Sequence, residues 1–106
     1  MSKAAPRILV VEDEPAIQRG LCDVLAYRGY APTGVANGED GLREGSSGGF
    51  DLVVLDVMLP GRSGFDVCRA LRGHDAKLPI LMLTARGSEE DVLKVSHINI
   101  FLEINT

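Results

Sequence analysis

Glu12-Asp13, Asp56 and Thr84 each stand directly after a short apolar run, respectively Ile8-Leu9-Val10-Val11, Leu52-Val53-Val54-Leu55 and Ile80-Leu81-Met82-Leu83. If those runs are neighbouring parallel strands, all four polar residues reach one edge of a sheet. Three carboxylates brought together repel one another, and a hard divalent cation with oxygen ligands offsets that charge. Mg²⁺ suits the role, because it keeps several waters and is commonly shared with a phosphate. With charge neutralised, a carboxylate can attack phosphorus, and aspartyl-phosphates are established intermediates. Thr84 adds a hydroxyl donor for a phosphoryl oxygen. Each residue alone also has a plainer explanation. Glu12 and Asp13 could complement a helix beginning at Pro15. Asp56 could open a turn ahead of Pro60-Gly61, and Thr84 could cap a helix. The joint pattern favours the chemistry, since three separate loops bring matching oxygen groups to one edge.

The elements that must position these residues are legible in the hydropathy pattern. None of the three runs alternates with polar residues, so each reads as a strand buried on both faces of a parallel sheet. A weaker strand is expected around Tyr30 to Val35. Pro15 suits the first turn of a helix, and Ile17, Leu21, Val24 and Leu25 form one apolar face up to a stop at Gly29. A poorer helix runs from Glu39 to Glu44, weakened by Gly41 and Gly45. A third spans Gly64 to Arg72, with Phe65, Cys68 and Leu71 on one side. A fourth begins at Ser88, with Glu89, Glu90 and Asp91 in its first turn. Strands alternating with helices make an α/β, doubly wound parallel sheet with its ligand site at the carboxyl ends of the strands.

Composition narrows the function classes. The chain has 106 residues, 45% of them hydrophobic and 25% charged, an ordinary balance for one domain. Its net charge of -4 argues against direct nucleic-acid binding by this chain. Cys22 and Cys68 lie far apart in helix-like stretches and read as small buried hydrophobes, as suits a reducing cytosol. Met1 to Arg7 lacks a secretory signal's apolar core, and no stretch approaches the ~20 apolar residues of a membrane span. A cytoplasmic chain with no membrane association is expected.

Three segments carry a family resemblance. Ile8-Leu9-Val10-Val11-Glu12-Asp13-Glu14 resembles the opening of the response-regulator receiver domains of bacterial two-component systems. Leu55-Asp56-Val57-Met58-Leu59-Pro60-Gly61-Arg62-Ser63-Gly64 resembles their phosphorylation segment, and Leu83-Thr84-Ala85 their threonine segment. The likeness covers residues 7–94 and is of the transcription-factor type. It implies a flavodoxin-like receiver fold and a phosphoacceptor role for Asp56. It also implies a site for Mg²⁺ (or Mn²⁺) held by Asp13, Asp56, the Met58 carbonyl and, through water, Glu12. Thr84 would bond the phosphoryl group and move on activation. The donor would be a sensor histidine kinase or a small phosphodonor, and the chain would be a signalling domain rather than an enzyme.

The end of the chain departs from that pattern. The family's Lys-Pro pair would fall near Thr106 and its aromatic switch residue near Glu103, and no proline follows Pro79. Residues 95–106 therefore read as an atypical tail, without the family's last helix and without an output domain. Ile98, Ile100, Leu102 and Ile104 alternate with Asn99, Phe101 and Glu103, which predicts a substitute edge strand. A phosphorylation-impaired binding or dimerisation module is the alternative function, with homodimer formation through exposed apolar surface. A phosphatase is disfavoured because Met58 stands where its second aspartate would be. A dinucleotide site is excluded because Glu12-Asp13-Glu14-Pro15, not a glycine-rich turn, follows the first strand.

Overall fold

The computed structural model describes residues 4–83 in full, together with the backbone of Thr84 and of residues 99–103. Its elements run β1 (Arg7–Val11), α1 (Pro15–Tyr27), β2 (Ala31–Val35), α2 (Gly38–Ser46), β3 (Leu52–Asp56), α3 (Gly64–His74), β4 (Ile80–Thr84) and β5 (Asn99–Glu103). They form one sheet in the order β2-β1-β3-β4-β5. The pairs β1–β3 and β3–β4 are parallel, as expected from the uninterrupted apolar runs, and the weaker strand β2 also pairs parallel with β1. The expected substitute edge strand is present as β5. It runs antiparallel to β4, with Thr84 opposite Asn99 and Ile80 opposite Glu103. The helix expected from Ser88 and the missing lysine's position at Thr106 lie outside the described residues.

Alternation along the strands divides the core in two. Leu9, Val11, Val53, Leu55, Ile80 and Met82 point to the face where α3 contributes Val67, Cys68 and Leu71. Ile8, Val10, Val54 and Leu83 point to the other face, against Leu21, Cys22 and Leu25 of α1. Each fully buried aliphatic side chain contributes about 1.5–3 kcal/mol, so the first face dominates stability.

Three helix readings need correction. No residue of α1 is buried, and Ile17 and Val24 of its expected inner face are 39% and 58% exposed. Cys22 is only half-buried. Periodicity identifies a face but not what covers it, and α1 is the sole described helix on its side. In α3, Phe65 is exposed and Val67 takes the buried place expected for it, and the helix continues to His74. α2 is longer than expected. Asn37 caps it by accepting from the Asp40 N–H at 2.8 Å, and its glycines serve packing. A Cβ on Gly41 would lie 2.9 Å from a methyl of Val11, and one on Gly45 2.7 Å from a methyl of Leu71. These glycines let α2 lie close on β1 and α3, which compensates for their poor helix propensity.

Candidate functional site

The order β2-β1-β3 places the sheet's switch point between β1 and β3, where ligands bind in such folds. β1 ends at Val11, so Glu12 and Asp13 emerge there, and β3 ends on Asp56 itself. One carboxylate oxygen from each of Glu12, Asp13 and Asp56 lies within 4.8 Å of the others. Met58 joins them on the wall of a cleft of about 280 Å³, with Glu14, Ile17 and Leu83. Thr84 reaches the same edge by register: Asp56 pairs with Leu83, and Thr84 follows. Its side chain is not among the described groups.

Hydrogen bonds fix the cluster from several elements. Glu12 is 6% exposed and accepts from the Glu14 N–H at 2.9 Å. Asp56 accepts from the Met58 N–H at 3.2 Å. The Gln18 amide, on α1, donates to the carbonyls of Glu12 and Val35, both at 2.9 Å, and so ties the ends of β1 and β2 together. Val57 N–H donates to the Leu83 carbonyl at 2.9 Å, and Gly64 N–H to the Val57 carbonyl at 2.8 Å. Gly64 is required where it stands, because a Cβ there would collide with the Asp56 carbonyl and lie 2.7 Å from the Val57 Cα.

Burial, and after it the crowding of charge, perturbs the acids. Two like charges about 5 Å apart repel by roughly 3 kcal/mol at an effective dielectric constant of about 20. Burial, reinforced by Asp56 and Asp13 and opposed by the Glu14 N–H, raises the Glu12 pKa to about 7. Burial and the charge of Asp13 also raise that of Asp56, against the lowering effect of the Met58 N–H and a hydrogen bond with Glu12. The donors are all oxygen and the cluster is excessively negative when ionised, which fits a hard divalent cation.

The sequence singled out Glu12, Asp13, Asp56 and Met58, and the fold brings all four together. Gln18 was missed, and Gly64 was read as a helix start rather than for its packing against the end of β3. Gln18 works through carbonyls distant in sequence and carries no local signal, whereas Gly64 was legible as part of a Pro-Gly-x-Ser-Gly turn.

The chain is 51% identical over 84 residues to the uncharacterized transcriptional regulatory protein YkoG of Bacillus subtilis, covering 79% of this chain and 37% of that protein. It thus spans about a third of the length of this curated relative. The receiver domain of sensor histidine kinase PA1611 from Pseudomonas aeruginosa, solved with a magnesium ion coordinated in its active-site cleft, superposes with a TM-score of 0.76. It is 30% identical, and the match covers 89% of this chain and 80% of that one. TrrA of Thermotoga maritima, solved in complex with histidine kinase ThkA, is 39% identical with a TM-score of 0.72 over 81% of this chain and 78% of that one. The family model of the response regulator receiver domain matches residues 8–104, and the chain belongs to that family.

Proposed function

We propose that this receiver takes a phosphoryl group onto Asp56 from the phosphohistidine of a sensor histidine kinase, or from a small acyl phosphate. The observation that carries the reading is the convergence of Glu12, Asp13 and Asp56 in one cleft at the switch point. The kinase complex of TrrA supports the choice of partner. An Asp56 oxygen forms a bond to phosphorus as the donor's P–N bond breaks, and that electron pair leaves on the imidazole nitrogen. With an acyl phosphate the P–O bond breaks and a carboxylate departs.

Asp56 is held in place through the Met58 N–H bond to its Oδ1. Burial and its acidic neighbours raise the Glu12 pKa to about 7, and a cation held in the cluster would favour its ionised form. Mg²⁺ or Mn²⁺, held by Glu12, Asp13, Asp56 and the Met58 carbonyl, would neutralise charge on the phosphoryl oxygens. The Thr84 hydroxyl would donate to a phosphoryl oxygen and shift with it, passing the signal to an output. The chain acts as a switch rather than a turnover enzyme. It forms one domain, 1–106, whose output lies in other parts of a cytoplasmic transcriptional regulator. Its net charge of -4 favours a protein partner over nucleic acid. Incubation with Mg²⁺ and acetyl phosphate should add one phosphoryl mass, and Asp56→Asn should abolish it. A phosphoryl group on another residue of that variant would refute the assignment.

A second reading is self-association, with phosphorylation impaired. β5 pairs with β4 on one side and, among the described residues, has no strand on the other. Antiparallel pairing of two β5 strands centred on Phe101 would set Ile100 opposite Leu102 and Asn99 opposite Glu103. The single charge then never meets itself, and unguarded edges invite such pairing. Light scattering across a dilution series should show a dimer that Phe101→Lys disperses. A wild-type monomer at high micromolar concentration would end this reading.

A further inference from the structure

A phosphodonor approaching Asp56 carries negative charge toward three carboxylates, and only cations can make that approach favourable. Among the described residues, a single cationic side chain lines either cleft at this edge: Arg62. It borders a second cleft, of about 480 Å³, together with Leu59, Gly61 and Ser63. Asp13 and Met58 border both clefts, so the Arg62 cleft lies directly beside the acidic one.

The backbone of Arg62 is firmly held and its charge is not. Arg62 N–H donates to the Pro60 carbonyl at 2.8 Å. Gly38 packs so closely that a Cβ there would lie 3.1 Å from the Arg62 Cβ. The guanidinium, in contrast, reaches Glu39 only at 3.9 Å, longer than the ~2.7–2.9 Å of a charge-assisted hydrogen bond. The Arg62 side chain is 34% exposed and that of Glu39 is 74% exposed, so solvent weakens the pairing further. Glu39 therefore restrains the guanidinium loosely and can yield it to a stronger anion. A phosphoryl dianion, with planar pairs of oxygens, is such an anion.

We propose that the Arg62 cleft is the docking subsite for the phosphodonor's dianionic phosphoryl group, and that Glu39 competes with the donor for Arg62. The proposal rests on the reading of Asp56 as phosphoacceptor. It predicts opposite signs for two neutralising variants. Arg62→Gln should lower the second-order rate constant for acetyl phosphate and for phosphoimidazole by about fivefold, and Arg62→Lys should recover part of it. Glu39→Gln should raise the same constant by roughly twofold, because it frees the guanidinium. Added salt should slow the wild type more than Arg62→Gln. Mg²⁺ affinity measured by calorimetry should match in all of these proteins. Inorganic phosphate, titrated into metal-free protein, should shift the backbone amide NMR signals of Arg62 and Ser63 in wild type and not in Arg62→Gln. Equal rate constants for wild type and Arg62→Gln, or a fall in both Arg62→Gln and Glu39→Gln, would overturn the subsite while leaving Asp56 as acceptor. Absence of any phosphoryl mass on the wild type would remove both readings.

Discussion

The two faces of the sheet are packed to different standards. On the α2/α3 face, Leu9, Leu55, Leu71 and Ile80 are wholly buried, and two glycines of α2 bring the helix down onto its neighbours. On the α1 face the strands contribute buried Ile8, Val10, Val54 and Leu83, while α1 itself buries no residue. The same five-residue strands feed both faces, so the difference lies in the covering layer. A doubly wound sheet needs helices on both sides, and among the described residues α1 is the sole helix on this face. The site sits where the faces meet. Ile17 and Gln18 approach it from α1, and the β3–α3 loop approaches from the closed side.

The largest effect expected of this asymmetry is on stability. Leu71→Ala should cost about 2–5 kcal/mol in urea unfolding, because a closed core cannot collapse around the cavity. Leu25→Ala, of like chemistry on the open face, should cost less than half as much, because its side chain is only partly removed from water. Equal losses would break the comparison.

A smaller effect separates the site from both faces. The Glu12 pKa rises from 4.5 to about 7 on folding, so the folded protein binds this proton more tightly than the unfolded chain. The stability associated with the proton is complete below pH 4.5 and is lost as pH rises through about 7. Glu12→Gln should therefore leave the metal-free protein little changed at acid pH. At pH 8 it should stabilise it by more than about 1.4 kcal/mol, the equivalent of one pKa unit. Thermal melts across the pH range in chelator would show the wild-type slope flatten in the variant. An unchanged slope would mean that Glu12 is not the strained acid.

The smallest effect is also the sharpest, because one substitution changes sign between the faces. A Cβ on Gly20, within α1, meets nothing within 4 Å, so Gly20→Ala should stabilise by about 0.5–1 kcal/mol through helix propensity. Gly41→Ala should destabilise, because its Cβ would press on a methyl of buried, β-branched Val11. Stabilisation by both substitutions would show that α2 is not packed as tightly as described.

What the sequence made legible follows from the range of each signal. Ile8 to Val11, Leu52 to Leu55 and Ile80 to Leu83 declared buried parallel strands, because continuous apolar runs need cover on both faces. The acids after them then fell to one edge by topology alone. The exposure of Ile17 and Val24 was hidden, since a helical apolar stripe does not reveal how many helices share its side. Gly41 and Gly45 read as helix weaknesses, because propensity is local while their contacts with Val11 and Leu71 are not. Gln18 was invisible for the same reason. Alternation from Ile98 to Ile104 announced a strand but not its antiparallel direction.

On the function proposed above, this acidic edge exists to phosphorylate one aspartate. The most direct test of that function is to trap the acyl phosphate with borohydride, after reaction with Mg²⁺ and acetyl phosphate, and to locate the reduced residue by peptide mass spectrometry. Conversion is expected at Asp56 alone, dependent on the metal. Reduction at Glu12, Asp13 or any other residue, or none at Asp56 in a folded protein that binds Mg²⁺, would contradict it.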